Sequence, residues 1–241
     1  MERRLADGRR GPYKRQPSLS NEPSMDLAEA RNRMVDSQVR PNKVTDPRII
    51  AAMRRLPRER FVPPGQAVRA YADEDVPLGE GRVLIEPMVM ARLLQLTAVS
   101  AGERVLVVAC GSGYGAAVLA GCGARVTALE DAPALLAVAR EALAEFAPSV
   151  NLVSGPLAAG WPTGAPYDVI LIEGAVRSIP KSIGEQLHQE TGRLVAVCTD
   201  GNGTSQAVLA EATVAGLRTQ PMFDCATPVI PSLLPAPGFV F

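Results

Sequence analysis

The stretch Val105-Leu106-Val107-Val108-Ala109-Cys110-Gly111-Ser112-Gly113-Tyr114-Gly115 runs from valine-rich apolar residues into a glycine turn, and Ala116-Ala117-Val118-Leu119-Ala120 continues it with helix-compatible residues. The apolar run is too short to cross a bilayer, and its β-branched content suits a strand covered on both faces. Gly111 and Gly113 allow a tight turn and bring bare backbone up to a ligand. The next apolar run, Arg125-Val126-Thr127-Ala128-Leu129, ends on Glu130, about one strand-helix-strand unit after the turn. A carboxylate there can accept hydrogen bonds from both hydroxyls of a ribose, so strand, turn and acid in this order predict a site for a nucleotide-type cofactor.

Outward from this unit the pattern repeats. Apolar runs at 104–109, 125–129, 150–153, 167–172 and 193–198 are separated by connections, several of them long enough for a crossover helix. That rhythm predicts an α/β fold with a doubly wound, mostly parallel, Rossmann-like sheet. A helix is expected over Pro133–Phe146, capped by Asp131, with Leu135, Leu136, Ala139, Leu143 and Phe146 facing inward. After residue 205 the rhythm changes to Gln206-Ala207-Val208-Leu209-Ala210-Glu211-Ala212 and a proline-rich end, which predicts antiparallel C-terminal edge strands. N-terminal helices are expected around Leu27, Ala30 and Met34 and from Asp46-Pro47, and another opens at Pro87. Between them, Pro57-Arg58-Glu59-Arg60-Phe61-Val62-Pro63-Pro64 reads as irregular, so 57–86 is expected to be a functional loop or short extended pieces. Residues 1–24, dominated by Arg3, Arg4, Arg9, Arg10, Lys14 and Arg15, are expected to be a disordered basic tail. The remainder, 25–241, is expected to form a single domain, with a helical and loop cap over 25–97 and the Rossmann-like core over 98–241.

The composition narrows the function. In 241 residues, 25 Lys and Arg balance 25 Asp and Glu, so bulk electrostatic capture of nucleic acid or an anionic membrane is not expected. With no apolar segment long enough to span a bilayer and no secretory signal, a cytoplasmic protein is expected. Cys110, Cys122, Cys198 and Cys225 are scattered without metal-ligand spacing, so no metal is expected. His188, the only histidine, reads as a surface residue on a helix, and Asp168 as a turn-orienting residue at a strand start. Glu173 closes the strand at 167–172, where open sheets bind ligands, and is a candidate pocket residue. Arg177 and Lys181 read as solvated charges, and Trp161 as a loop anchor. The glycine pattern also fits a dinucleotide-binding dehydrogenase with Ala116 at its last place.

Further blocks separate that reading from another. Arg31-Asn32-Arg33-Met34-Val35, Asp46-Pro47-Arg48-Ile49-Ile50-Ala51-Ala52-Met53, Pro57-Arg58-Glu59-Arg60-Phe61-Val62-Pro63, Ala70-Tyr71, the glycine turn with Tyr114, Ala165-Pro166-Tyr167-Asp168-Val169-Ile170, Gln186-Leu187 and Gly192-Arg193-Leu194-Val195 occur in one chain. Together they resemble the protein-L-isoaspartate O-methyltransferase family of class I S-adenosylmethionine-dependent methyltransferases, from about Arg31 to Val197. The resemblance implies S-adenosyl-L-methionine as cofactor, lying across the carboxyl ends of the sheet. It implies a protein or peptide substrate whose aberrant aspartyl carboxylate is esterified. The cofactor-binding positions implied are Ala109, Cys110, Gly111, Ser112, Gly113, Tyr114, Glu130, Asp131, Gly155, Leu157 and Glu173. A carboxylate acceptor is already ionised at neutral pH, so alignment matters more than a proton relay, and no catalytic base is assigned.

The chain departs from the family's pattern at the acceptor wall. Where the family has Thr-Ile-Ser-Gln-Pro, with a serine that contacts the acceptor, this chain has Val83-Leu84-Ile85-Glu86-Pro87. The substrate-loop candidates are Arg82, Ile85 and Glu86. Ile85 has no hydroxyl to offer, and Glu86 needs a proton or a cation, with Arg82 the candidate partner. In the cofactor half, the family's early acidic residue aligns with Val107, its first glycine with Ala109, and its adenine-reaching aspartate with Pro156. Two alternatives stay open at this point: a methyltransferase with another acceptor, and an inactive binding protein on the same scaffold. The oligomeric state is open as well.

Overall fold

In a computed structural model, which describes residues 26–200, 204–214 and 216–234, the expected tail over 1–24 lies outside the described residues. Chain order begins with α1 (Leu27–Met34), where the Asp26 side chain accepts from the Ala28 and Glu29 N–H groups. In α2 (Pro47–Arg55), Asp46 accepts from Arg48 N and Pro47 occupies the first turn, where its missing N–H costs nothing. A hairpin of β1 (Val76–Gly79) and β2 (Arg82–Leu84) leads into α3 (Pro87–Leu96). The core then runs β3 (Arg104–Val108), α4 (Tyr114–Gly121), β4 (Arg125–Glu130), α5 (Pro133–Phe146), β5 (Asn151–Ser154), β6 (Val169–Val176), α6 (Lys181–Gly184), β7 (Arg193–Thr199), β8 (Ser205–Thr213) and β9 (Gly216–Asp224).

The main sheet has seven strands in the order β5-β4-β3-β6-β7-β8-β9. Pairing is parallel from β5 to β7 and antiparallel from β7 to β9, as the change of rhythm after residue 205 predicts. Val105 lies beside Val126 on one side and Val169 on the other, which places β3 at the centre. From β3 the chain moves outward through β4 and β5, then returns to the opposite side with β6. The carboxyl ends of β3 and β6 therefore flank a topological switch point, where open α/β sheets leave a crevice.

Alternation along the central strands divides the core. Val105, Val107, Leu171 and Val195 pack with Met34, Ile49, Met53 and Leu93 from the helical cap. Leu106, Val108, Ile170, Ile172 and Leu194 face the opposite layer, with Tyr167, Ile183, Leu187 and Ile230. Neighbouring residues of one strand belong to different layers because strand side chains alternate between faces. Both layers being covered explains why β3 and β6 read as continuous apolar runs.

Four expectations need correction. The strand expected over 167–172 is β6, Val169–Val176, so Glu173 lies within it and does not close it. The Arg58–Phe61 stretch is a short 3-10 helix, followed by a longer one over Pro64–Tyr71, so the region reads as irregular only from its prolines. The N-cap of α5 is Ala132, and Glu130, not Asp131, supplies a side-chain acceptor to this corner, for the N–H groups of Asp131 and Ala132. His188 lies in the loop after α6, which ends at Gly184, and its Nδ1 is 3.1 Å from Thr191 Oγ1.

Two tethers bring the cap and the C-terminal segment over the crevice. Arg58 is fully buried, and its Nε and Nη2 donate to the carbonyls of Ala70 and Ile85, each at 2.6 Å. One guanidinium thus fixes both ends of the 70–85 segment. Across β6, Ala175 N donates to Pro228 O at 3.0 Å and Ile230 N to Ala175 O at 2.9 Å. Gly174, at φ 146°, has no room for a side chain there, because a Cβ would lie 2.6 Å from Ile230 Cγ1.

Removing the first tether is expected to be costly. Arg58→Met leaves two buried carbonyls unpaired, at about 1–3 kcal/mol for each, and chemical denaturation should show a midpoint well below wild type. Arg58→Lys, with one compact head group, should recover only part of the loss; full recovery would contradict the two-carbonyl role.

Candidate active site

The strand-to-helix turn after β3 is left-handed at three positions: Ala109 at φ 61°, Gly111 at 56° and Gly113 at 89°. Cys110 N donates to Leu129 O at 3.1 Å, and Gly113 N to Cys110 O at 2.8 Å, which seats the turn against the end of β4. Tyr114 opens α4 fully buried, its ring edge-on to Phe61 at 5.3 Å and 4.9 Å from the Arg58 guanidinium carbon. The free N–H groups of the first turn of α4 and the positive end of its dipole therefore face the crevice.

Glu130 ends β4 with no solvent exposure. Its Oε2 accepts from Gly111 N at 2.7 Å, and its Oε1 from Asp131 N at 3.0 Å and Ala132 N at 3.2 Å. Arg82 Nη1 lies 3.2 and 3.3 Å from the two carboxylate oxygens, and Arg82 Nη2 donates to Ala109 O. Burial pushes the Glu130 carboxyl up, while Arg82 and the backbone donors pull it back. Arg82 is thus the partner of Glu130 and not of Glu86. The strand register of β2 carries it to the tip of β3, a placement that sequence separation cannot show.

The other two substrate-loop candidates part company. Ile85 is buried, and its carbonyl belongs to Arg58. Glu86 is half-buried, and its N–H donates to Asp75 Oδ1 at 2.8 Å. Burial, then the charges of Asp73 and Asp75, push the Glu86 carboxyl up. This wall is acidic.

Glu173, within β6 and one residue past its last pair with β3, is buried, and its Oε1 has no hydrogen-bond partner. It lies over Gly115 in the first turn of α4, where an added Cβ would come within 1.9 Å of Oε1. Burial pushes its carboxyl up to about 8, with Glu130 adding to the shift and Arg82 and Arg58 opposing it. Ser112 Oγ and Tyr114 Oη are likewise buried without a hydrogen-bond partner. Cys110, also buried, has its thiol raised well above the usual range by burial and by the nearby carboxylates, so it is a neutral wall residue. Leu157 is buried, and Gly155 N donates to Glu130 O at 3.3 Å, which places both beyond the end of β4. Asp131 joins Arg82, Glu80, Ala132, Pro133, Pro231 and Ser232 around a cavity of about 310 Å³. A larger groove, of about 620 Å³, lies between α1 and the 64–71 helix and shares no residue with the turn.

Residues read as structural behave so. Asp168 Oδ2 accepts from Arg104 N at 2.8 Å, and Trp161 N donates to Gln186 Oε1 at 2.8 Å. Arg58 and the Pro231–Ser232 segment escape the sequence reading, since a charged proline-flanked run and a proline-rich end look like surface. Among the described residues, no group of three or more His, Cys, Asp or Glu is placed to hold a metal ion, and no helix is long and apolar enough to cross a membrane.

The crevice suits one kind of ligand. It offers bare backbone donors, three unsatisfied buried oxygens and a carboxylate at the neighbouring strand end, as a hydroxyl-bearing, cationic nucleoside would require.

The raised Glu173 carboxyl also makes stability depend on pH. Its folded pKa of about 8 exceeds the ordinary glutamate value of 4.5, so the folded state binds the extra proton between these values and stability falls as pH rises through that window. Glu173→Gln should remove this fall, leaving the variant more stable than wild type at pH 8 by an amount on the order of a few kcal/mol. Parallel melting curves of the two proteins from pH 5 to 8.5 would contradict the assignment.

Comparison with known proteins supplies the family. The family model for protein-L-isoaspartate(D-aspartate) O-methyltransferase (PCMT) matches residues 29–217. Protein-L-isoaspartate O-methyltransferase of Methylorubrum extorquens (strain PA1) is 42% identical over 184 residues, covering 76% of this chain and 80% of the relative. Protein-L-isoaspartate O-methyltransferase 1 of Rhodopseudomonas palustris (strain HaA2) is 36% identical over 212 residues, 87% of this chain and 86% of its own. A solved protein-L-isoaspartate O-methyltransferase superposes with a TM-score of 0.72 at 22% identity, covering 83% of this chain and 65% of that one, so this chain spans just under two thirds of its length. A Plasmodium falciparum protein described as a protein-L-isoaspartate O-methyltransferase, solved with S-adenosyl-L-homocysteine, gives 0.69 at 16% identity, covering 84% and 98%. These two structural likenesses establish the fold. The family match over 29–217 and the close relatives settle the rest of the classification, and on that ground the chain belongs to the protein-L-isoaspartate(D-aspartate) O-methyltransferase family.

Proposed function

We propose that this chain transfers a methyl group from S-adenosyl-L-methionine to a carboxylate of damaged aspartyl residues in protein substrates, acting in the cytosol. The observation that carries the reading is the Gly111–Gly113 turn seated against buried Glu130, with Ser112 Oγ and Glu173 Oε1 left unsatisfied beside it. The donor, when bound, supplies a methyl group on a positively charged sulfur, which an ionised carboxylate can take without prior loss of a proton.

The backbone of Ala109 to Tyr114 is assigned to the amino-acid end of the donor, Glu130 and Asp131 to its ribose, and Leu157 with Gly155 to its base. Glu130 already accepts from three backbone N–H groups and from Arg82. Ribose hydroxyls therefore reach it at the expense of Arg82. A displaced Arg82 is a buried cation in need of an anion, and the acceptor carboxylate is one. Arg82 thus stands in for the hydroxyl that Ile85 does not offer. The β1–β2 hairpin, held by Arg58, and the Pro231–Ser232 segment keep water from the crevice, so that orientation and not proton transfer sets the rate.

The acidic wall of Asp73, Asp75 and Glu86 favours a second reading, in which the same donor serves an acceptor that is not a carboxylate. The two readings part on one assay. With labelled donor, the first expects base-labile ester on an isoaspartyl peptide and none on its aspartyl counterpart. Arg82→Gln should raise the KM for that peptide at least about tenfold, the loss of one charge-assisted contact. Donor binding without any ester above background would overturn the first reading and leave the second.

A further inference from the structure

Resting on the reading of the crevice as a sulfonium-donor site, we propose that Glu173 is the residue by which the chain distinguishes the charged donor from its uncharged demethylated product. The case begins with placement. Glu173 lies within β6, one residue past Ile172, the last to pair with β3, with its Oε1 buried and unpartnered above Gly115 in the first turn of α4.

The charged and titratable groups around it are accounted for. Arg82, from β2, is engaged by Glu130 and Ala109 O; Arg58, from the 58–61 helix, donates from Nε and Nη2 to Ala70 O and Ile85 O and keeps a buried, unpartnered Nη1. Glu130, from the end of β4, is an anion that repels, and the buried Cys110 thiol of the turn is neutral. In the free protein neither arginine hydrogen-bonds Glu173 Oε1, although the charge of each opposes the rise that burial imposes on its carboxyl. S-adenosylmethionine carries an ammonium, a carboxylate and a sulfonium, a net charge of plus one. S-adenosylhomocysteine, with a thioether in place of the sulfonium, is neutral overall.

Binding the cation next to a carboxyl that is protonated in the free protein favours its ionised form, so one proton leaves Glu173 for bulk water as the donor enters. Methyl transfer converts the sulfonium to a thioether and the acceptor carboxylate to an ester, so the balancing positive charge disappears. Glu173 then takes a proton back from water, and the site no longer favours what it holds. The shift of Glu173 to about 8 sets the window in which this exchange can be read.

Calorimetric titration of the full chain with each compound between about pH 6.5 and 8.5 tests the idea. The donor's own α-amino group titrates in the same range, so the diagnostic quantity is the difference between wild type and Glu173→Gln. Wild-type affinity for S-adenosylmethionine should rise with pH by up to about twentyfold more than in the variant. For S-adenosylhomocysteine the two proteins should agree within about twofold, and at pH 8.5 the donor-to-product preference should be lower in Glu173→Gln. Identical pH profiles and identical preferences in the two proteins would overturn the role of Glu173 while leaving the donor site standing. Absence of binding of either compound to wild type would overturn the donor site and this proposal with it.

Discussion

One buried carboxylate ties the site together. Glu130 accepts from Gly111 in the turn after β3, from Asp131 and Ala132 at the start of α5, and from Arg82 in the β1–β2 hairpin. An isolated ion in a dry interior would cost several kcal/mol, and only this set of donors makes its burial tolerable. The same contacts fix the turn, the corner between β4 and α5, and the hairpin that roofs them. On the proposed reading stability and function draw on one interaction, so a ligand that needs Glu130 must compete with the fold for it.

Around this anchor the site is built with unequal completeness. Arg58 is matched to two carbonyls, and the C-terminal segment to the backbone of β6, so the roof is firm on both sides. Glu173 and Ser112 are not matched, and they lie where the helix dipole of α4 and the switch point converge. Unsatisfied buried groups are uncommon because they are destabilising. Ser112, Tyr114 and Glu173 account for three of the seven such atoms among the described residues, and on the proposed reading they face the donor.

Much of this was legible in the sequence for physical reasons. The parallel strands show as unbroken apolar runs because both faces are covered, and Gly111 and Gly113 show because the turn needs left-handed backbone. Glu130 shows because it ends such a run. What stayed hidden depends on distance in space. Arg82 pairs with Glu130, 48 positions away, and not with the nearby Glu86, because β2 points it at the tip of β3. Arg58, in a charged run between prolines, gives no local sign of complete burial. His188 reads as helical because its neighbours are helix-compatible, yet α6 stops at Gly184.

The central claim is that the Gly111–Gly113 turn and Glu130 together hold the adenosyl donor. A crystal structure of the chain with S-adenosyl-L-homocysteine tests it most directly. The account predicts a ligand lying over the turn, its ribose hydroxyls on Glu130 and Arg82 moved off that carboxylate. A fully occupied ligand bound elsewhere, with the Arg82–Glu130 pair intact, would contradict it.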